Sequence, residues 1–189
     1  MRNATICLAC FAVVIGVAVA SAKDGATTKP TAPSAVATVQ PLGAATAKGT
    51  VRFTQLERGV EIHADITGLA PGSHGFHIHE YGDCSAADGS SAGGHFNPDG
   101  KPHGAPDSAM SHAGDYGNLT ADASGHAVLT LVSRRITLDQ GPTGVLGRAV
   151  IVHGNADDLT SQPAGNAGPR IGCGVIMLEG GATTPILKK

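Results

Sequence analysis

Short runs of polar–apolar alternation, each cut off by glycine or proline, limit what this chain can become. Thr50-Val51-Arg52-Phe53-Thr54-Gln55-Leu56 alternates, and so does Val60-Glu61-Ile62-His63-Ala64-Asp65-Ile66. A period of two puts one set of side chains on each face of a strand. Gly59 and Pro71-Gly72 punctuate these runs,. Further strand-like runs are Val36–Gln40, Gly75–Glu80, Ala127–Val132, Ala149–His153 and Cys173–Leu178, with a weaker one at Tyr116–Thr120. No run carries a convincing helical period. The pattern predicts an all-β domain of about eight short strands, an antiparallel sandwich or barrel.

The first 35 residues follow different rules. Arg2 precedes an apolar run from Ile6 to Ala20, and Ala20-Ser21-Ala22 is a small-residue cleavage pattern. Residues 1–22 therefore read as a secretory signal peptide. The run falls short of the roughly 20 apolar residues that a spanning helix needs, so no membrane association is expected once the leader is removed. Residues 23–35 are rich in Ala, Thr and Pro, and read as a flexible linker before a barrel domain over 36–189. Cys7 and Cys10 belong to the leader, leaving Cys84 and Cys173. Export implies an oxidising compartment, periplasmic in a bacterium and otherwise extracellular. Two cysteines allow one intramolecular pairing; the alternative is two buried free thiols.

Composition excludes some functions. Lys and Arg number 13 against 15 Asp and Glu, so there is no basic excess to attract nucleic acid,. An apolar share of 41% is too high for a disordered chain,. Nine His are the unusual count. Most lie at or inside two stretches without strand period, 82–115 and 154–170, and long irregular loops in a compact domain usually carry function.

His77 and His79, in G-F-H-I-H-E, sit two apart on a strand and face the same way,. By itself H-x-H is a weak signal, equally compatible with a stripe of surface His. The long loop adds His95, then His103 eight residues on, His112 nine further, and Asp115 three beyond that. Three imidazoles and a carboxylate fit a closed tetrahedral zinc site. Gly93, Gly94, Gly104 and Gly114 give the backbone room to converge. His153 ends a strand and can complete a group with the H-x-H pair, and a set of imidazole nitrogens suits copper.

Six fragments in order, G-F-H-I-H-E, G-G-H-F-N-P, K-P-H-G-A-P, H-A-G-D-Y-G-N, V-H-G-N-A-D-D-L and G-N-A-G-P-R-I-G-C-G-V-I, resemble the copper,zinc superoxide dismutases. The resemblance covers about residues 36–180. It implies an eight-stranded antiparallel Greek-key barrel (an immunoglobulin-like sandwich) with two long functional loops. It implies one copper and one zinc per subunit, with superoxide as substrate. By the same resemblance His77, His79, His95 and His153 would bind copper, and His95, His103, His112 and Asp115 would bind zinc, so that His95 bridges the two. Asp157 would link a copper His and a zinc His, Cys84 and Cys173 would form the family's disulfide, and Arg170 would sit beside the copper. Arg170 and His95 are the implied catalytic residues. His74 matches a structural position; His63 and His126 stay unassigned.

Two departures stand out. Only eleven residues separate Asp158 from Arg170, and none is charged, where cytosolic eukaryotic members carry a longer charged loop. Cys84 also follows the H-x-H strand closely. With the leader, these features look like the bacterial periplasmic branch, and they leave the subunit arrangement open, a homodimer included. Attraction of an anion would then rest on Arg170, the metals or charges elsewhere such as Lys101. A non-enzymatic metal carrier is the competing reading, but such relatives often lose the copper ligands or the Arg, and here all are present. A zinc hydrolase needs an open metal position and a general base, and no Glu lies within the zinc set.

Overall fold

A computed structural model describes residues 1, 32–106 and 108–187. Residues 2–22 of the leader and 23–31 of the linker lie outside the described residues. Eight strands follow in chain order: β1 (Ser34–Pro41), β2 (Lys48–Gln55), β3 (Val60–Thr67), β4 (Gly72–His79), β5 (Asp115–Ala121), β6 (Ala127–Ser133), β7 (Ala149–His153) and β8 (Arg170–Leu178). Among the described residues the only helical element is a 3₁₀ turn at Ser90–Ala92. The first strand starts at Ser34, so the linker expected over 23–35 ends earlier than its sequence suggests. The reason is packing: Ala35 is fully buried and pairs with both Phe53 and Leu178.

All pairings are antiparallel, in the order β5-β4-β7-β8-β1-β2-β3-β6. Strand β4 lies beside β7, β8 beside β1 and β3 beside β6, the non-sequential neighbours of a Greek key,. The two ends of the order, β5 and β6, contact each other, so the sheet curls into a nearly closed barrel. The inward residues of β1, β2 and β3 (Ala37, Val39, Val51, Phe53, Ile62, Ala64 and Ile66) fill it together with Phe76, Ile78, Leu119, Val150 and Val152.

Alternating burial holds in β3 and fails in β4 and β7. From His74 onward every residue of β4 is buried, and so is every residue of β7. Their inner faces pack in the barrel. The long loop covers the outer face of β7, where Ala92 joins Leu42, Ala149, Ile151 and Cys173 in a second small cluster. Cys84 packs on that cluster and is bonded to Cys173, a bridge spanning 89 positions. His77 and His79 occupy the outer face of β4, between strand and loop.

Gly114 permits this layering. Its N–H donates to the Phe96 carbonyl, and its own carbonyl accepts from Ile78 N–H at 2.9 Å. A Cβ there would collide with the Ile78 carbonyl oxygen and lie 3.1 Å from Phe96 Cβ.

Candidate metal centre

The strands deliver the histidines in register. His77 pairs with Asp115 on β5 and with Ile151 on β7, and His79 forms an isolated bridge with His95 from the loop. The β4–β5 ladder shifts between Gly75 and His77, and the β7–β8 ladder shifts between Val152 and His153, which itself pairs with Arg170. Irregularities of this kind re-aim side chains next to functional sites.

Two groups result, each with its ligand atoms within 4.8 Å of one another: His77, His79, His95 and His153, and His95, His103, His112 and Asp115. His95 belongs to both. All seven residues are buried.

The hydrogen bonds of the first group set its chemistry. A neutral imidazole has one N–H and one lone pair, and the bond made by the first fixes the direction of the second. His77 Nε2–H donates to Asp157 Oδ2 at 2.8 Å, His79 Nδ1–H to the Gly93 carbonyl at 3.0 Å, and His153 Nδ1–H to the Gly168 carbonyl at 3.3 Å. That leaves His77 Nδ1, His79 Nε2 and His153 Nε2, together with His95 Nε2, buried and without hydrogen-bond partners. Four converging orphan lone pairs are costly unless something satisfies them. A metal ion does so, and an all-imidazole set suits copper. Burial holds His77 at a pKa of about 4, against the upward pull of its hydrogen bond to Asp157. Burial likewise pushes His153 down to about 3 and His79 well below the usual imidazole value. The three rings are therefore neutral at neutral pH, the form in which imidazole binds metal.

In the second group three Nδ1 atoms surround one carboxylate. His95 Nδ1 lies 2.8 Å and His112 Nδ1 3.2 Å from Asp115 Oδ1, and His103 Nδ1 lies 3.1 Å from Asp115 Oδ2. A tetrahedron with bonds of about 2.0–2.1 Å has edges of about 3.3 Å, so this spacing fits zinc. Burial alone would raise the pKa of Asp115, but the hydrogen bond from His95 and the neighbouring imidazoles outweigh it and hold the carboxyl well below its usual range.

Asp157 joins the groups, accepting from His77 at one oxygen and from His103 Nε2–H at the other, at 2.9 Å. Its Oδ1 also accepts from Leu159 N–H at 2.7 Å. Gly165 must be glycine for this arrangement: its φ is +64°, and a Cβ would run into Asp157 Oδ1 and lie 2.7 Å from His103 Nε2.

Arg170 is half-buried. Nη1 donates to the Gly89 carbonyl at 2.5 Å and Nη2 to the Gly93 carbonyl at 2.6 Å. Gly93 thus holds both Arg170 and His79. Two of the five guanidinium N–H groups are used there, which leaves three outside these bonds. Lys101 is paired with Asp99 at 3.4 Å. The remaining histidines stay outside both groups: His74 ring nitrogens bond the carbonyls of His153 and Ala70, His63 bonds Thr130, and His126 bonds Asp65.

Three supports of the site are not among the residues that the sequence motifs point to. Asn118 exchanges two hydrogen bonds with the backbone of Asp157, at 2.8 and 2.9 Å. Gln162 does the same with His103. Arg135 donates to the carbonyls of Ser111 and Pro106 and fastens the loop that carries His103 and His112. Asn118 closes the fragment H-A-G-D-Y-G-N, so a sequence signal for it exists. Gln162 and Arg135 carry no such signal.

Comparison with known proteins agrees with this geometry. Residues 47–176 match the family described as copper/zinc superoxide dismutase. A solved structure of a clock protein, EA4, is 42% identical, with a TM-score of 0.70, over 78% of this chain and 95% of that one. The chain belongs to the copper/zinc superoxide dismutase family, enzymes that act as oxidoreductases on superoxide.

Proposed function

We propose that this chain converts two superoxide anions and two protons to O₂ and H₂O₂, one superoxide losing an electron and the other gaining it. One observation carries the reading: His95 offers Nε2 to the three converging imidazoles of His77, His79 and His153, and Nδ1 to the group around Asp115. Copper held by His77, His79, His95 and His153 would supply the one-electron couple, and zinc held by His95, His103, His112 and Asp115 a fixed positive charge.

The protein's own groups do the rest. The free N–H groups of Arg170 draw in the anion and orient it. His95 Nε2 takes up a proton in one half of the cycle and gives it to the forming peroxide in the other, while Nδ1 stays with the group of His103, His112 and Asp115; the second proton comes from solvent. Asp157 holds the Nε2–H groups of His77 and His103, so both rings keep Nδ1 free.

An exported protein is supported by the apolar segment at 6–20 and by the Cys84–Cys173 bridge, since disulfides persist in oxidising compartments,. The short neutral loop before Arg170 and the position of Cys84 support the bacterial periplasmic type. A homodimer is the proposed assembly, to be checked by sedimentation.

Metal analysis with an activity assay tests the core of the proposal. The expected result is one copper and one zinc per chain and cyanide-sensitive dismutation. Protein that takes up both metals but does not dismutate superoxide would overturn it.

A further inference from the structure

We infer that Gln162 is a positioning residue for the zinc ligand His103, so that zinc retention depends on a side chain of the opposite loop. The inference rests on the proposed zinc site. It starts from a two-point contact: His103 N–H donates to Gln162 Oε1 at 2.8 Å, and Gln162 Nε2 donates back to the His103 carbonyl at 2.9 Å. The backbone donor and acceptor dictate which end of the amide is which. The same Nε2 also donates to the Thr160 carbonyl at 3.2 Å, which steadies the side chain although Gln162 itself is exposed.

A primary amide bonded to both main-chain groups of one residue acts like a neighbouring strand. It fixes the two peptide planes on either side of His103, and with them the direction of its Cα–Cβ bond. The far end of the same side chain is fixed by Asp157 Oδ1 at Nε2. Root and tip are then both held from the 154–170 loop, and the remaining nitrogen, Nδ1, is left aimed at Asp115, 3.1 Å away. Residues 103–106 belong to no strand or helix, so no regular backbone ladder does this work. The stretch between Asp158 and Arg170, which bears no charge, is thereby given a task other than attracting the substrate.

Partners that orient a metal-binding His are commonly worth tenfold or more in metal affinity. The test uses full-length protein carrying both metals, mixed with excess chromophoric chelator, with zinc release followed by absorbance. Gln162→Ala, which removes both bonds, is expected to release zinc at least about fivefold faster than the parent. Gln162→Glu keeps an acceptor for His103 N–H but sets a carboxylate against the His103 carbonyl, and should also release zinc faster; it serves if the alanine variant does not fold. Gln140→Ala is the control, since Gln140 makes the same kind of bond to the Thr184 carbonyl outside both metal groups. Cobalt placed in the zinc site should show shifted visible bands in the Gln162 variants and unshifted bands in Gln140→Ala. Release less than about fivefold faster, equal acceleration in the control, or unshifted cobalt bands would each overturn the inference. If the parent protein binds no zinc, the functional proposal itself falls; if it does and Gln162→Ala releases it at the parent rate, only the inference falls.

Discussion

Arg170 and Gly165 carry the sharpest consequences of a single side chain. Arg170 touches neither group of metal-binding atoms through a bond, yet it shares the Gly93 carbonyl with His79. Arg170→Ala should therefore keep both metals and lose substrate attraction. A charged hydrogen-bond donor is worth about 1.5–3 kcal/mol, so kcat/KM should fall roughly 10- to 100-fold. Arg170→Lys restores a point charge without the planar fork and should lie between. An unchanged kcat/KM in the alanine variant would remove Arg170 from the mechanism. Gly165→Ala acts on Asp157 instead. It places a left-handed residue and a Cβ against the carboxylate that holds His77 and His103. Backbone strain alone is worth about 1 kcal/mol. Because Asp157 must also move, thermal unfolding should show a larger loss in the metal-loaded protein than in the metal-free one, and equal losses would contradict the Asp157 role. The histidines that form the two groups were legible mainly because ordered motif fragments resembling a known family carry them, since H-x-H alone is a weak signal. Gln162 was not, because an exposed Gln in a polar loop has no spacing rule; only the fold brings it to the backbone of His103.

Strands were the most legible elements. Alternation located β2 and β3 to within two residues, because one buried face imposes period two, whereas β7 is a short apolar run buried on both faces,. The β5 run was weak for a physical reason: Asp115 and Tyr116 are both buried, one serving the metal group and the other the core, so its alternation breaks at the start. The loops could be recognised as functional but not traced, since their course is set by contacts with β7 and by the disulfide rather than by local pattern. That bridge has two roles. It ties the loop carrying the Gly89 and Gly93 carbonyls to β8, the strand that begins with Arg170. Replacing both cysteines by Ser should cost about 2–5 kcal/mol in denaturant unfolding. It should also lower activity more than metal content, because the loop carbonyls that hold the guanidinium lose their tether. Full activity in the double variant would mean that the loop is held without the bridge.

The charge of the molecule as a whole poses the problem its parts must solve. A formal charge of −2 opposes the approach of an anion, and the stretch leading to Arg170 adds no positive group. Distance decides which effect governs. A domain of this size has a radius of gyration of about 15 Å. The Debye length is about 8 Å at physiological ionic strength, so charges spread over the surface are largely screened at the site. Arg170, the proposed docking group, would act at contact distance, where screening is least. With copper and zinc held as proposed, two divalent ions would outweigh the carboxylates Asp115 and Asp157 and keep the neighbourhood positive. Attraction is therefore local and short in range. The rate of dismutation should fall as ionic strength rises, because added salt screens the attractive pair that operates at closest approach. In Arg170→Ala the slope should flatten. Measuring kcat/KM from about 10 mM to 500 mM salt separates the two cases, since Debye lengths from about 30 Å to a few ångströms are then sampled. A rate that rises with salt would mean that net repulsion dominates, and the neutral loop would then be a handicap that Arg170 does not offset.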